Sequence, residues 1–111
     1  MATLVMSFEY TPTVDMCLKE IINHLRRHDI NAGPVIKELL EEFERKVRQF
    51  PQGCHVCPEL LKIGCGKYRE CNTSRGYRIL YSVDAEVITV HAVLAQKQDI
   101  KQLLFKRLLL M

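Results

Sequence analysis

Between Gly76 and Leu94 the chain reads Gly-Tyr-Arg-Ile-Leu-Tyr-Ser-Val-Asp-Ala-Glu-Val-Ile-Thr-Val-His-Ala-Val-Leu, and few folds accommodate such a stretch. β-Branched and aromatic residues fill both halves, broken by Asp84-Ala85-Glu86, a short polar link that lets two strands fold back on each other. The spacing predicts a hairpin at the centre of the fold. Tyr77, Ile79, Tyr81 and Val83 fall on one side of the first strand, Arg78, Leu80 and Ser82 on the other. In the second strand Ile88, Val90, Ala92 and Leu94 alternate with Val87, Thr89, His91 and Val93. One apolar and one mixed side per strand predict an antiparallel sheet covered on one face and open on the other, with Arg78 and His91 sharing the open face.

Around that hairpin, 111 residues suffice for one domain with a core and not for two, so a single domain over 1–111 is expected. Net charge is +3 and no run reaches about 18 apolar residues, so no membrane-spanning helix is expected. The opening Met-Ala-Thr-Leu-Val-Met-Ser-Phe-Glu lacks a basic segment ahead of a long apolar one; no secretory signal is expected, and a cytoplasmic location is the default. Five cysteines, an odd number, then read as reduced thiols or metal ligands before disulfides.

Leu4, Met6 and Phe8 alternate with Val5 and Ser7, predicting a short opening strand in the same sheet. Thr11-Pro12 is a helix start, because proline at the first helical position lacks an amide hydrogen that would have no partner there. Val14, Cys17, Leu18, Ile21, Ile22 and Leu25 then make one apolar stripe. Asn31-Ala32-Gly33-Pro34 breaks it, and Val35, Ile36, Leu39, Leu40, Phe43, Val47 and Phe50 trace a second amphipathic helix. So short a link predicts an antiparallel helical hairpin whose joint stripe covers the sheet. Lys67–Cys71 reads as a further strand, from which Arg69 is expected to join Arg78 and His91 on the open face, with Arg75 at its edge. Asp99 is a cap for a last helix with Ile100, Leu103, Leu104 and Leu108 on one stripe, widened by Phe105, Leu109, Leu110 and Met111. That helix either docks onto the sheet or offers an apolar patch to a partner, including another copy of the chain.

Cys54-His55-Val56-Cys57, with Cys65 and Cys71 beyond, supplies enough ligands for a tetrahedral zinc, with His55 to spare. Strong zinc signals repeat the CxxC knuckle, whereas here the second pair is split by five residues. Buried or loop thiols are therefore the favoured reading and neither metal nor cofactor is expected, the alternative being a zinc-binding interaction module on Cys54, Cys57, Cys65 and Cys71.

Several of these segments, taken together, resemble the RelE/ParE superfamily of bacterial toxins, the toxin half of type II toxin–antitoxin modules, which includes plasmid stabilisation proteins. The carriers are the opening strand and Thr11-Pro12 helix start, the second helix closing on Phe50-Pro51-Gln52-Gly53, the segment from Gly76 to Asp84, and the ending Val93-Leu94-Ala95-Gln96-Lys97-Gln98-Asp99-Ile100. The resemblance implies an α+β domain with two N-terminal antiparallel helices packed on a small antiparallel β-sheet and a short C-terminal helix. It also implies growth arrest and neutralisation by a cognate antitoxin.

The superfamily divides by mechanism. RelE-like members cut messenger RNA on the ribosome with basic side chains on the sheet and usually a tyrosine or histidine near the C-terminus. Arg69, Arg78 and Lys97 fall at matching positions, as groups able to hold phosphates and stabilise developing charge. After His91, however, the sequence contains neither Tyr nor His, which leaves His91 or Tyr81 as the substitute for proton transfer. The expected site is thus Arg69, Arg78, His91 and Lys97 as catalytic groups, with Arg75 and Tyr81 contacting RNA or another target. ParE-like members inhibit DNA gyrase by binding and need no proton donor, and the resemblance is taken slightly in that direction.

Overall fold

The computed structural model describes residues 6–95. Its elements run β1 (Ser7–Tyr10), α1 (Pro12–Arg27), α2 (Ala32–Gln49), α3 (Pro58–Leu61), β2 (Arg69–Asn72), β3 (Tyr77–Asp84) and β4 (Val87–Ala95). The four strands form one sheet in the order β1-β4-β3-β2. β3 pairs antiparallel with both β2 and β4, whereas β1 lies parallel to β4, with Ser7 opposite Val87. A parallel neighbour requires the chain to cross over between the two strands, and the helical pair lies in that connection. The Gly76–Leu94 hairpin is present and central, turning at Ala85, whose φ is 54°. The C-terminal helix expected from Asp99, and any oligomer built on it, lie outside the described residues.

Each helix starts for a local reason. Thr11 is the N-cap of α1 with Pro12 at the first helical position, yet its hydroxyl donates across the molecule to the His91 carbonyl oxygen (3.3 Å) and does not cap. α2 begins at Ala32, three residues ahead of the expected start, and takes Gly33 and Pro34 into its first turn. Proline is tolerated there because first-turn amides have no helical acceptor. Val14, Cys17, Ile21 and Leu25 of α1 and Val35, Leu39, Phe43 and Val47 of α2 are buried, as their stripes require. Phe50, placed on that stripe by periodicity, ends the helix 69% exposed. Phe43 meets Phe8 and Tyr81 edge to face, at 5.8 and 5.6 Å between centroids, so α2 packs on the sheet through an aromatic cluster.

The other face of the sheet is not open. Leu80, Ala92 and Leu94 on it are buried, as are Cys57 and Leu60 from the segment containing α3. That segment first runs antiparallel beside β2, with the Glu70 amide donating to the His55 carbonyl (3.0 Å) and the Cys57 amide to the Tyr68 carbonyl (2.9 Å). It then turns over the sheet as α3, held there by ion pairing of Glu59 with Arg78. Leu60 anchors it, but Leu61 and Ile63 stay 55% and 60% exposed. Between β3 and β4, Leu80 pairs with Ala92 and Tyr81 with Val90, so His91 of β4 is the extra residue of a bulge. The strand changes parity there. Ile88, Val90 and Val93 face the helices, while Ala92 and Leu94 join the face under α3.

Candidate functional site

Register decides which expected residues meet. Asn72 pairs with Arg78 and Glu70 with Leu80, so Glu70 and Arg78 are diagonal neighbours on the face under α3. Arg78 Nη1 lies 2.7 Å from Glu59 Oε1 and 3.2 Å from Glu70 Oε2, and Nη2 lies 3.3 Å from Glu59 Oε2. This forked arrangement binds the guanidinium to carboxylates on two elements. Arg78 is only 8% exposed, and the Glu59 hydrogen bonds raise its pKa against the opposing effect of burial. Glu70 Oε1 takes a further partner in His55 Nε2, at 2.6 Å. His55, Glu70, Arg78 and Glu59 thus form one connected network.

Arg69 does not join it. It pairs with Tyr81, on the helix-facing side, and its Nη1 donates to the carbonyl oxygens of Cys54 (2.7 Å) and Gln52 (3.2 Å). It ties down the segment after α2 and offers no phosphate a free guanidinium on the opposite face. Tyr81, expected as a target contact, is fully buried against Phe43, and its hydroxyl donates to the Pro51 carbonyl (3.0 Å). Burial drives its pKa far up, so it exchanges no proton near neutrality. Arg75 lies in the β2–β3 turn, where its Nε donates to Glu38 Oε2 at 2.8 Å and both side chains are about half exposed. Lys97 lies outside the described residues.

His91 does share the face of Arg78, because the bulge turns it there. Its Nε2 hydrogen-bonds Ser82 Oγ at 2.8 Å and its ring meets Tyr68 edge to face at 5.0 Å. Burial, with a smaller contribution from the Lys67 charge, lowers its pKa, so the imidazole is neutral at physiological pH. The imidazole belongs to the Tyr68–Ser82 contact, whereas the Arg78 guanidinium belongs to the carboxylate network.

The cysteines do not form one metal centre either. Cys54 and Cys71 lie toward the helices, while Cys57 lies beneath α3. Among the described residues, Cys57, Glu59 and Glu70 alone combine at ligand spacing. The Arg78 cation already bridges those two carboxylates, so a divalent ion would have to displace it. Periodicity also gave no sign of a hollow of about 570 Å³ beside the end of α1, with Cys17 and Ile21 in its floor and His24, Arg27 and Arg75 around it. Its one advance signal is the run of bases in the last turn of α1, which reads equally as complement to the helix dipole.

A family model, described as the ParE toxin of the type II toxin–antitoxin system parDE, matches residues 8–100. The chain belongs to that family. The solved structures similar to this ParE toxin include one titled "Chromosomal ParDE TA system from P. aeruginosa". It shares the fold at a TM-score of 0.61 and 16% identity, over 82% of this chain and 96% of that one. Among curated proteins no match is found. The α+β fold of helical hairpin on a mainly antiparallel sheet is therefore that of a ParE toxin, and no described helix is long and apolar enough to cross a membrane.

Proposed function

We propose that this ParE toxin arrests growth by binding and inhibiting DNA gyrase without catalysis, acts in the cytoplasm, and is neutralised by a cognate antitoxin. The observation that carries the reading is the closure of Arg78 by Glu59 and Glu70. Cutting RNA requires a cation free to meet a phosphate beside a group that moves a proton. Among the described residues the expected candidates are engaged elsewhere: Arg78 with carboxylates, Arg69 with backbone carbonyls, Tyr81 with the core, and His91 with Ser82 and Tyr68, where its imidazole has no free arginine of this set beside it. Inhibition by contact needs only a shaped surface, which this arrangement leaves intact. The hollow beside the end of α1, with an apolar floor and a rim of His24, Arg27 and Arg75 that also carries Glu20, offers a partly apolar segment of the antitoxin a place to dock.

Purified toxin added to gyrase and relaxed plasmid tests this directly. Loss of supercoiling, with messenger RNA intact on translating ribosomes, is the expected result. Cleaved messenger together with unimpaired supercoiling would refute it.

A further inference from the structure

We propose that Cys54 and Cys71 are a modification site, a dithiol that hydrogen peroxide closes into a disulfide between the segment after α2 and strand β2. The argument begins with backbone register. Val56 bridges Arg69 antiparallel, His55 and Glu70 face each other through the Glu70 amide, and Cys57 meets Tyr68 through the Cys57 amide. Hydrogen-bonded pairs alternate with non-hydrogen-bonded ones, so Val56–Arg69 is of the second kind, and the same register extended two positions, to the bend at Cys54, sets Cys54 against Cys71. At such sites opposite Cα atoms lie about 4.5 Å apart, inside the roughly 4.4–6.8 Å that a disulfide spans. Cys71 shares the helix-facing side with its pair Ile79, and the Cys54 thiol is a close electrostatic neighbour of the Cys71 thiol and the Tyr81 hydroxyl.

The two thiols differ in access. Cys54 is partly exposed and lines a hollow of about 330 Å³ with Lys46, Gln49, Phe50 and Gly53, through which a small oxidant reaches its sulfur. Cys71 is 1% exposed, and burial, followed by the neighbouring Cys54, pushes its thiol up to about 12. Cys54 is therefore the sulfur that attacks and Cys71 the one that resolves. The Cys54 sulfur displaces water from peroxide and becomes a sulfenic acid. The Cys71 sulfur then attacks it, loses its proton, and expels the hydroxyl as a second water. Two thiols lose two electrons and one peroxide gains them. Lys46 lies near both sulfurs, its ammonium ion-paired with Glu42 at 2.9 Å and donating to the Asn72 carbonyl at 3.2 Å, so its charge there is partly offset by that carboxylate. Cys57 cannot compete for Cys54, because three steps along an extended chain put it on the other face.

The test treats the full chain with hydrogen peroxide and compares it with the dithiothreitol-reduced protein. The expected product has lost two hydrogens, yields a Cys54–Cys71 linked peptide on non-reducing digestion, and melts higher by roughly 10 °C, reversibly. Cys54→Ser, at a partly exposed position, and Cys71→Ala, which keeps the buried site apolar, should each abolish the link and the rise. A folded protein that forms no intramolecular link, links a different pair, or links Cys54 to Cys71 without melting higher would overturn the proposal.

Discussion

The two faces of the sheet are both buried, but by different chemistry. Toward α1 and α2, Ile79, Tyr81, Ile88, Val90 and Val93 meet hydrocarbon and aromatic rings, chiefly Phe43. Toward α3, Leu80 and Leu94 share their surface with Arg78, Glu59 and Glu70, whose charges must answer one another. Helical stripes can be long and apolar because two helices of sixteen and eighteen residues supply them. A four-residue α3 cannot, and most of its hold on the sheet is one buried apolar side chain and one ion pair. The lesson is that a charged residue on a strand does not mark a solvated face when a short segment can carry its counter-ion over it. On the first face stability comes from volume; on the second it comes from pairing.

The largest effect should come from breaking the first face. Phe43→Ala removes the ring that joins α2 to Phe8 and Tyr81 and should cost about 4 kcal/mol in urea unfolding. A loss under 1 kcal/mol would mean that the helices do not pack as described. Next is Arg78→Ala, which strands Glu59 and Glu70 and should cost about 3 kcal/mol, the low end for a buried pair because Glu59 is 30% exposed. This exceeds the ~1 kcal/mol of a surface arginine, and adding Glu70→Gln should recover part of it. Equal losses in the single and double variants would show that the pairing does not matter. Arg69→Ala sharpens the contrast from the helix side, where two carbonyls lose a donor; about 1 kcal/mol is expected by thermal melting.

The smallest effect is titration of His91. Its folded pKa is depressed, so the unfolded chain takes up the proton first. The stabilisation is complete above the unfolded value of about 6.5 and is lost as pH falls through the depressed folded value. His91→Gln should therefore flatten the stability profile below about pH 6.5 and leave it unchanged at pH 8. A variant with the wild-type acid slope would assign that slope to other groups.

Sequence periodicity alone carried the hairpin, the two amphipathic helices and the opening strand, because alternation and three-to-four spacing are properties of neighbours along the chain; the toxin family came from the resemblance of whole segments and not from periodicity. It also held an unused clue: Cys54 and Cys57 differ by an odd number, so an extended segment must separate them. What periodicity could not carry was anything set by how one segment meets another. The turn closed by Gly76, at φ 84°, accompanies the register that sets Arg69 opposite Tyr81 and Glu70 diagonal to Arg78. The bulge at His91 reverses the parity of β4, so that Val93, and not Ala92, faces the helices. Burial of Arg78 required α3 to fold over the sheet and bring Glu59 to it. Each outcome is a contact between residues far apart in the chain, whose free energy appears only once the tertiary structure has brought them together.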